Sequence, residues 1–121
     1  MIYTSYFGNI KNLPDNTYPI SIARWKPKWF HGPTLLSLAP SPELLRWWRT
    51  SDKDTIAQKT YINLYNAQLA EKDPHKLAAL LEQKCEGKIP VLLCFENKMG
   101  FCHRHLVAYW LNKNGIECKE F

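Results

Sequence analysis

The stretch IPVLLCF, residues 89–95, decides the fold. It is an unbroken apolar run of strand length. A half-buried strand alternates apolar and polar residues, so an unbroken run suits a strand covered on both faces, in a parallel or mixed sheet. It is expected at the centre of the sheet. Toward the C-terminus, the loop ENKMG leads into a helix expected over about residues 101–114, with Val107, Trp110 and Leu111 facing the core and Gly115 as its left-handed terminator. IECKEF then closes as a short edge strand. Toward the N-terminus, DPHKLAALLEQKCEG reads as a helix that starts at Asp73 and Pro74, turns a stripe of Leu77, Leu80 and Leu81 inward, and stops at Gly87. A longer polar helix is expected over 54–72, with Ile56, Leu64 and Leu69 as inward candidates. SPELLRWW opens another, with Ser41 as N-cap, Pro42 at the first helical position and Glu43 in the first turn. RWKPKWFHGP, with two prolines and a glycine, reads as a loop. MIYTSYF and YPISIA read as strands, separated by the turn chemistry of NLPDNT. The order strand, strand, helices, strand, helix, strand predicts an α/β sandwich: one domain over 1–121, with a small, mostly parallel or mixed sheet flanked by helices.

The chain has 121 residues, is 45% hydrophobic and carries a formal charge of +5. That length buries a real core without covalent staples. Nothing at the start resembles a basic segment followed by an apolar run, and no stretch approaches the roughly 18 apolar residues of a membrane span. A soluble, cytoplasmic protein without a membrane partner is expected, with its four cysteines Cys85, Cys94, Cys102 and Cys118 reduced. The positive charge permits anionic partners: nucleotides, nucleic acid or acidic proteins.

Ligands of such sheets bind beyond the carboxyl ends of the parallel strands, and GFCHRHL, residues 100–106, falls at that edge. Cys102 is expected in the first turn of its helix, where free N–H groups and the positive macrodipole end favour a thiolate. His103 and Arg104 are expected as cationic neighbours that lower its pKa from about 8.5. Cys94 and Glu96 alternate on the strand and project to one side of it. Glu96 is a candidate general acid or base, or could orient an arginine. Gly100 would let the loop backbone approach a ligand. Cys102 and His105 share a helical face, though His105 reads as structural, and no role falls to Cys85 or Cys118. After the second strand, Arg24, Trp25, Lys26, Lys28, Trp29 and His31 interleave basic and aromatic groups, which hold phosphates and stack a base at about 1–3 kcal/mol per base. The alternative is tryptophans covering the core beside solvated lysines. If the Arg24 strand neighbours the Cys94 strand, Arg24 emerges at the Cys102 edge. Trp47 and Trp48 are adjacent and cannot both face inward.

IPVLLCFE followed by GFCHRHLVAYWL resembles the C-terminal signature of the family defined as domain of unknown function 488: an apolar strand ending in Cys-x-Glu, then Cys-His-Arg opening a helix. IYTSYF, ISIAR with its proline loop, LAPS before a helix, and the helix bearing Tyr61 and Tyr65 extend the resemblance over nearly the whole chain, in the family's short form. The family's characteristic positions fall on Arg24, Cys94, Glu96, Cys102, His103 and Arg104.

Three readings follow. The favoured one is a cysteine-dependent enzyme acting on a nucleotide-like or nucleic-acid substrate, with Cys102, Glu96 and His103 as catalytic residues and Arg24, Arg104, Trp25, Lys28 and Cys94 as ligand-binding residues. No cofactor and no dedicated metal ligands are assigned to it. The CxxxxxR spacing of cysteine phosphatases is absent, since only His103 separates Cys102 from Arg104. The second reading is a non-catalytic module binding nucleic acid or a small ligand at the same edge. The third is a metal site built from Cys94, Cys102 and His103 or His105, with or without Glu96; these donors suit zinc, although the usual CxxC and HxxxH pairings are missing.

Overall fold

The computed structural model describes residues 1–96 and 101–121. Four parallel strands form one sheet: β1 (Ile2–Tyr6), β2 (Thr17–Ser21), β3 (Ile89–Cys94) and β4 (Cys118–Glu120), in the order β2-β3-β1-β4. The apolar run is central, as its composition requires: β3 pairs with β1 from Tyr3↔Val91 to Tyr6↔Cys94 and with β2 from Thr17↔Ile89 to Ser21↔Leu93. Its prolines are tolerated by position. Pro19 lies on the edge strand β2, and Pro90 precedes the first residue of β3 that pairs with β1.

The two sheet faces are covered differently. Leu92 and Cys94 pack into the larger core beneath four helices, α1 (Pro42–Thr50), α2 (Thr55–Ala70), α3 (Pro74–Cys85) and α4 (His103–Lys113). Val91 and Leu93 face a smaller aromatic core with Phe7, Ala23 and Phe30, supplied by the 3-10 turn Phe7–Asn12 and the loop after β2. The 3-10 helix thus precedes the turn expected at NLPDNT, sharing only Asn12 with it, and Thr17 already opens β2.

The helix starts follow their caps. Ser41 Oγ accepts from the Leu44 N–H, Asp54 from Ala57, and Asp73 from His75 and Lys76, each satisfying first-turn donors. The chain leaves α3 through two left-handed residues, Glu86 at φ 49° and Gly87 at φ 90°.

Three expectations are corrected. On α2 the inward residues are Ala57, Tyr61, Tyr65 and Leu69, four apart, while Ile56 and Leu64 are exposed. Tyrosine outcompetes isoleucine there because the Tyr65 hydroxyl donates to the Leu38 carbonyl at 2.5 Å, so a polar tip can be buried. On α3 the stripe is Leu77, Leu81 and Cys85, with Leu80 outside. The last helix begins at His103, two residues later than expected, with Cys102 as its N-cap residue and Trp110 only half-buried. No described helix is long and apolar enough to cross a membrane.

Candidate functional site

β2 and β3 are neighbours and parallel, so the loop after β2 and the start of α4 meet at the same carboxyl edge. A cleft of about 460 Å³ opens there. The buried Cys94, Cys102 and His103 line its floor, and Arg24, Trp25, Trp48, Arg49, Tyr61, Glu96 and Phe101 line the rest of it.

The floor differs from expectation in its sulfur chemistry. Cys94 and Cys102 are joined in a disulfide, with their Cα atoms 7.2 Å apart, which corrects the expectation of four reduced thiols. The end of β3 and the N-cap of α4 converge on the buried layer between sheet and helix, and the two side chains meet there. Cys85 and Cys118 are free and buried elsewhere in the core. Cys102 makes no side-chain capping bond, so its sulfur faces other partners.

His103 is buried at the same place. Its Nε2 lies 2.7 Å from the Ile22 carbonyl, and a carbonyl only accepts, so Nε2 carries the proton and Nδ1 the lone pair. That lone pair points to Cys102 Sγ at 3.7 Å. Burial pushes the imidazole pKa down to about 4, outweighing the opposite effect of the Ile22 hydrogen bond. The residue expected as a cation beside Cys102 is therefore neutral. The Tyr65 ring meets its edge at 5.4 Å and holds the ring plane.

Arg104 is fully buried and withdrawn beneath the floor instead of lining the cleft. Its Nε and Nη2 donate to the Glu120 carboxylate at 3.0–3.2 Å, its Nη1 donates to Cys94 Sγ at 3.2 Å and to the Glu96 carbonyl, and the Tyr6 ring lies 5.7 Å away. Arg104 thus ties β4, β3 and α4 together at the level of the sulfurs. Glu120, absent from the sequence-derived site, is its counter-ion; the only signal was an acid closing a short strand.

The other candidates divide. Arg24 reaches the cleft while its Nε donates to the Pro40 carbonyl at 2.9 Å. Trp25 is exposed at the rim, with the Arg49 guanidinium 4.9 Å over its ring. Glu96 is exposed, past the end of β3, and still lines the cleft. Lys28 and His31 are exposed and do not line it, and Lys26 donates to the Gly32 carbonyl. Trp29 turns to the opposite sheet face against Phe7. Of the adjacent tryptophans, Trp48 lines the cleft and packs on Phe101 and Tyr61, while Trp47 does not line it. Gly100 lies outside the described residues. Arg49, Phe101 and Tyr61 were not foreseen as cleft residues. RWWRT at the end of α1 carried the hint, since it repeats the basic and aromatic alternation of the Arg24 loop.

Among the described residues, one group of side chains converges as metal ligands do: Cys94, Cys102 and His103, whose donor atoms all lie within 4.8 Å of one another. His105 and Glu96 are not part of it.

A family model described as DUF488-N3a, the active DUF488-N3 subclade, matches residues 12–115. No curated protein and no solved structure matches the chain.

Proposed function

Because the chain belongs to the DUF488 family, within the match to its DUF488-N3a model, we infer that the cleft is the active site of a cysteine-dependent enzyme acting on a nucleotide-like or nucleic-acid substrate. One observation carries the reading: Cys102 Sγ sits 3.7 Å from an imidazole nitrogen whose lone pair is fixed toward it, on the floor of a cleft walled by guanidinium groups and aromatic rings. The word "active" in the family model's description points the same way.

The residues divide the work as follows. The disulfide is first opened by a thiol reductant, which supplies two electrons. Cys102 then gives up its thiol proton as the sulfur bonds to the substrate, with the neutral His103 Nδ1 relaying it rather than storing it. The Ile22 carbonyl keeps the imidazole in the tautomer that accepts this proton. That proton passes on to the departing group, and Glu96, exposed at the rim of the same cleft, is placed to accept a proton from the nucleophile that later frees Cys102. Arg24 and Arg49 bind phosphate oxygens, and Trp25 or Trp48 stacks a base. Arg104 positions Cys94 and the β3 end and does not touch substrate.

The test uses the reduced, metal-free chain and follows Cys102 alkylation by mass spectrometry in the presence of mononucleotides and short oligonucleotides. Protection of Cys102 at least several-fold, lost in Arg24→Ala and Arg49→Ala, is expected, together with a mass adduct on Cys102 that Cys102→Ala abolishes. Protection without any adduct or turnover would leave a binding module in place of an enzyme. No protection by any nucleotide would remove the substrate class.

A further inference from the structure

The geometry points to a second state of the cleft floor: in the reduced protein, the Cys94 and Cys102 thiolates and His103 Nδ1 hold one thiophilic divalent cation of the zinc class, with the fourth coordination position open to the cleft.

The three donor atoms converge within 4.8 Å, and all three residues are buried. With zinc–sulfur bonds of about 2.3 Å and zinc–nitrogen bonds of about 2.0–2.1 Å, tetrahedral ligation places a sulfur and a nitrogen donor about 3.6 Å apart. Cys102 Sγ and His103 Nδ1 are 3.7 Å apart. The Cys94 and Cys102 Cα atoms, at 7.2 Å, exceed the roughly 4.4–6.8 Å usual for a disulfide. Their backbones therefore leave room for an ion between the two sulfurs. The outer contacts match those of a metal centre. A ligating histidine normally donates its second ring N–H to a carbonyl or carboxylate, and His103 Nε2 donates to Ile22 at 2.7 Å. Arg104 Nη1 donates to Cys94 Sγ at 3.2 Å, which moderates the charge of a thiolate ligand. Three protein ligands facing a cleft make an open site, the arrangement that leaves one position for water or a substrate atom.

The chemistry balances in two steps. A small-molecule dithiol gives two electrons to the disulfide and becomes a disulfide itself. The cation then displaces one proton from each freed thiol. The site stands on the donor geometry and does not need the catalytic reading. With the ion bound, Cys102 is a ligand and its sulfur is no longer available as a nucleophile.

The experiment titrates the full chain with Co²⁺ under anaerobic conditions, once reduced and once as the disulfide. The reduced protein is expected to bind one Co²⁺ with thiolate-to-cobalt charge transfer in the near ultraviolet and tetrahedral ligand-field bands in the visible, all displaced by Zn²⁺. The oxidised protein, the same chain already folded, is expected to show none. Cys94→Ser should lose about half of the charge-transfer intensity and at least tenfold in affinity. A Cys85→Ser, Cys118→Ser double variant should keep both. Absent charge transfer in the reduced chain, equal binding by the oxidised chain, or loss of the bands in the double variant but not in Cys94→Ser would each overturn the site. Charge transfer without nucleotide protection of metal-free Cys102 would instead leave the ion in place and remove the nucleotide substrate class of the proposed function.

Discussion

Arg104 is enclosed on every side, and its contacts explain why an arginine follows Cys102 and His103. A guanidinium without exposure needs a full set of acceptors, and Glu120, Cys94 Sγ and the Glu96 carbonyl supply them from two strands and the segment after β3. No buried side-chain nitrogen or oxygen among the described residues lacks a partner. Removing one member of a buried pair leaves the other charge uncompensated, at about 3–5 kcal/mol for a fully buried pair. The Glu120 side chain is 19% exposed, so Glu120→Gln is expected at the lower end, about 3 kcal/mol, read as a fall in the urea midpoint. The exposed pair Lys119–Glu117, at 3.3 Å, is the control: Lys119→Gln should shift stability by less than about 0.5 kcal/mol. Equal effects of the two substitutions would contradict the enclosed arginine. The inward turn of Arg104 was not legible in the sequence, because its counter-ion reaches it only through the pairing of β1 with β4, which sets Thr4 beside Glu120. That Cys102 and His103 lie beside the end of the Cys94 strand was legible, because they follow that strand closely in the sequence. The neutrality of His103 was not, since the burial that imposes it comes from Ile22 and Tyr65 on other elements.

At the scale of elements, β3 and α2 mark the two extremes of what pattern can convey. An unbroken apolar run of strand length admits few placements, and β3 is central with both faces covered. The sequence of α2 offers two phases. One places Ile56 and Leu64 inward, the other Ala57, Tyr61, Tyr65 and Leu69, and hydrophobicity alone favours the aliphatic set. The second phase wins because Tyr61 meets the Trp48 and Phe101 rings edge-on, and the Tyr65 hydroxyl finds the Leu38 carbonyl. Tyr65→Phe should therefore cost about 1–2 kcal/mol by leaving that carbonyl unpaired in a dry layer. Ile56→Ser should stay within about 0.5 kcal/mol of the parent, since Ile56 is exposed. Chemical denaturation of both variants checks the phase, and a larger loss from Ile56→Ser would reverse it. The same packing explains how the cleft wall escaped sequence reading. Trp48 and Arg49 come from α1, Tyr61 from α2 and Phe101 from just before α4, and nothing local to any of them marks a shared cavity.

Across the whole molecule, several ionisable groups are held protonated by the larger core. Burial pushes the Cys118 thiol up to about 12, with the Glu120 charge adding to it, and raises the Tyr61 and Tyr65 phenols and the Cys85 thiol. In the unfolded chain a thiol loses its proton near pH 8.5 and a phenol near 10. Above those values the folded protein retains more protons than the unfolded one, so stability present at neutral pH is lost as pH rises from about 9 toward 12. Urea midpoints measured from pH 8 to 11 are expected to fall, and Cys118→Ala should flatten the early part of the fall. A midpoint constant over that range would count against a dry environment for these groups. The strand order β2-β3-β1-β4 has a separate consequence for how the protein comes into being. A polypeptide is made from its N-terminus, and β1 and β2 both find their ladder partner in β3, about ninety residues after β1 begins. Until β3 has been synthesised, two strands with unmet backbone groups must wait beside helices that have no sheet to cover, so the newborn chain passes through a long interval in which it is open to association with other chains.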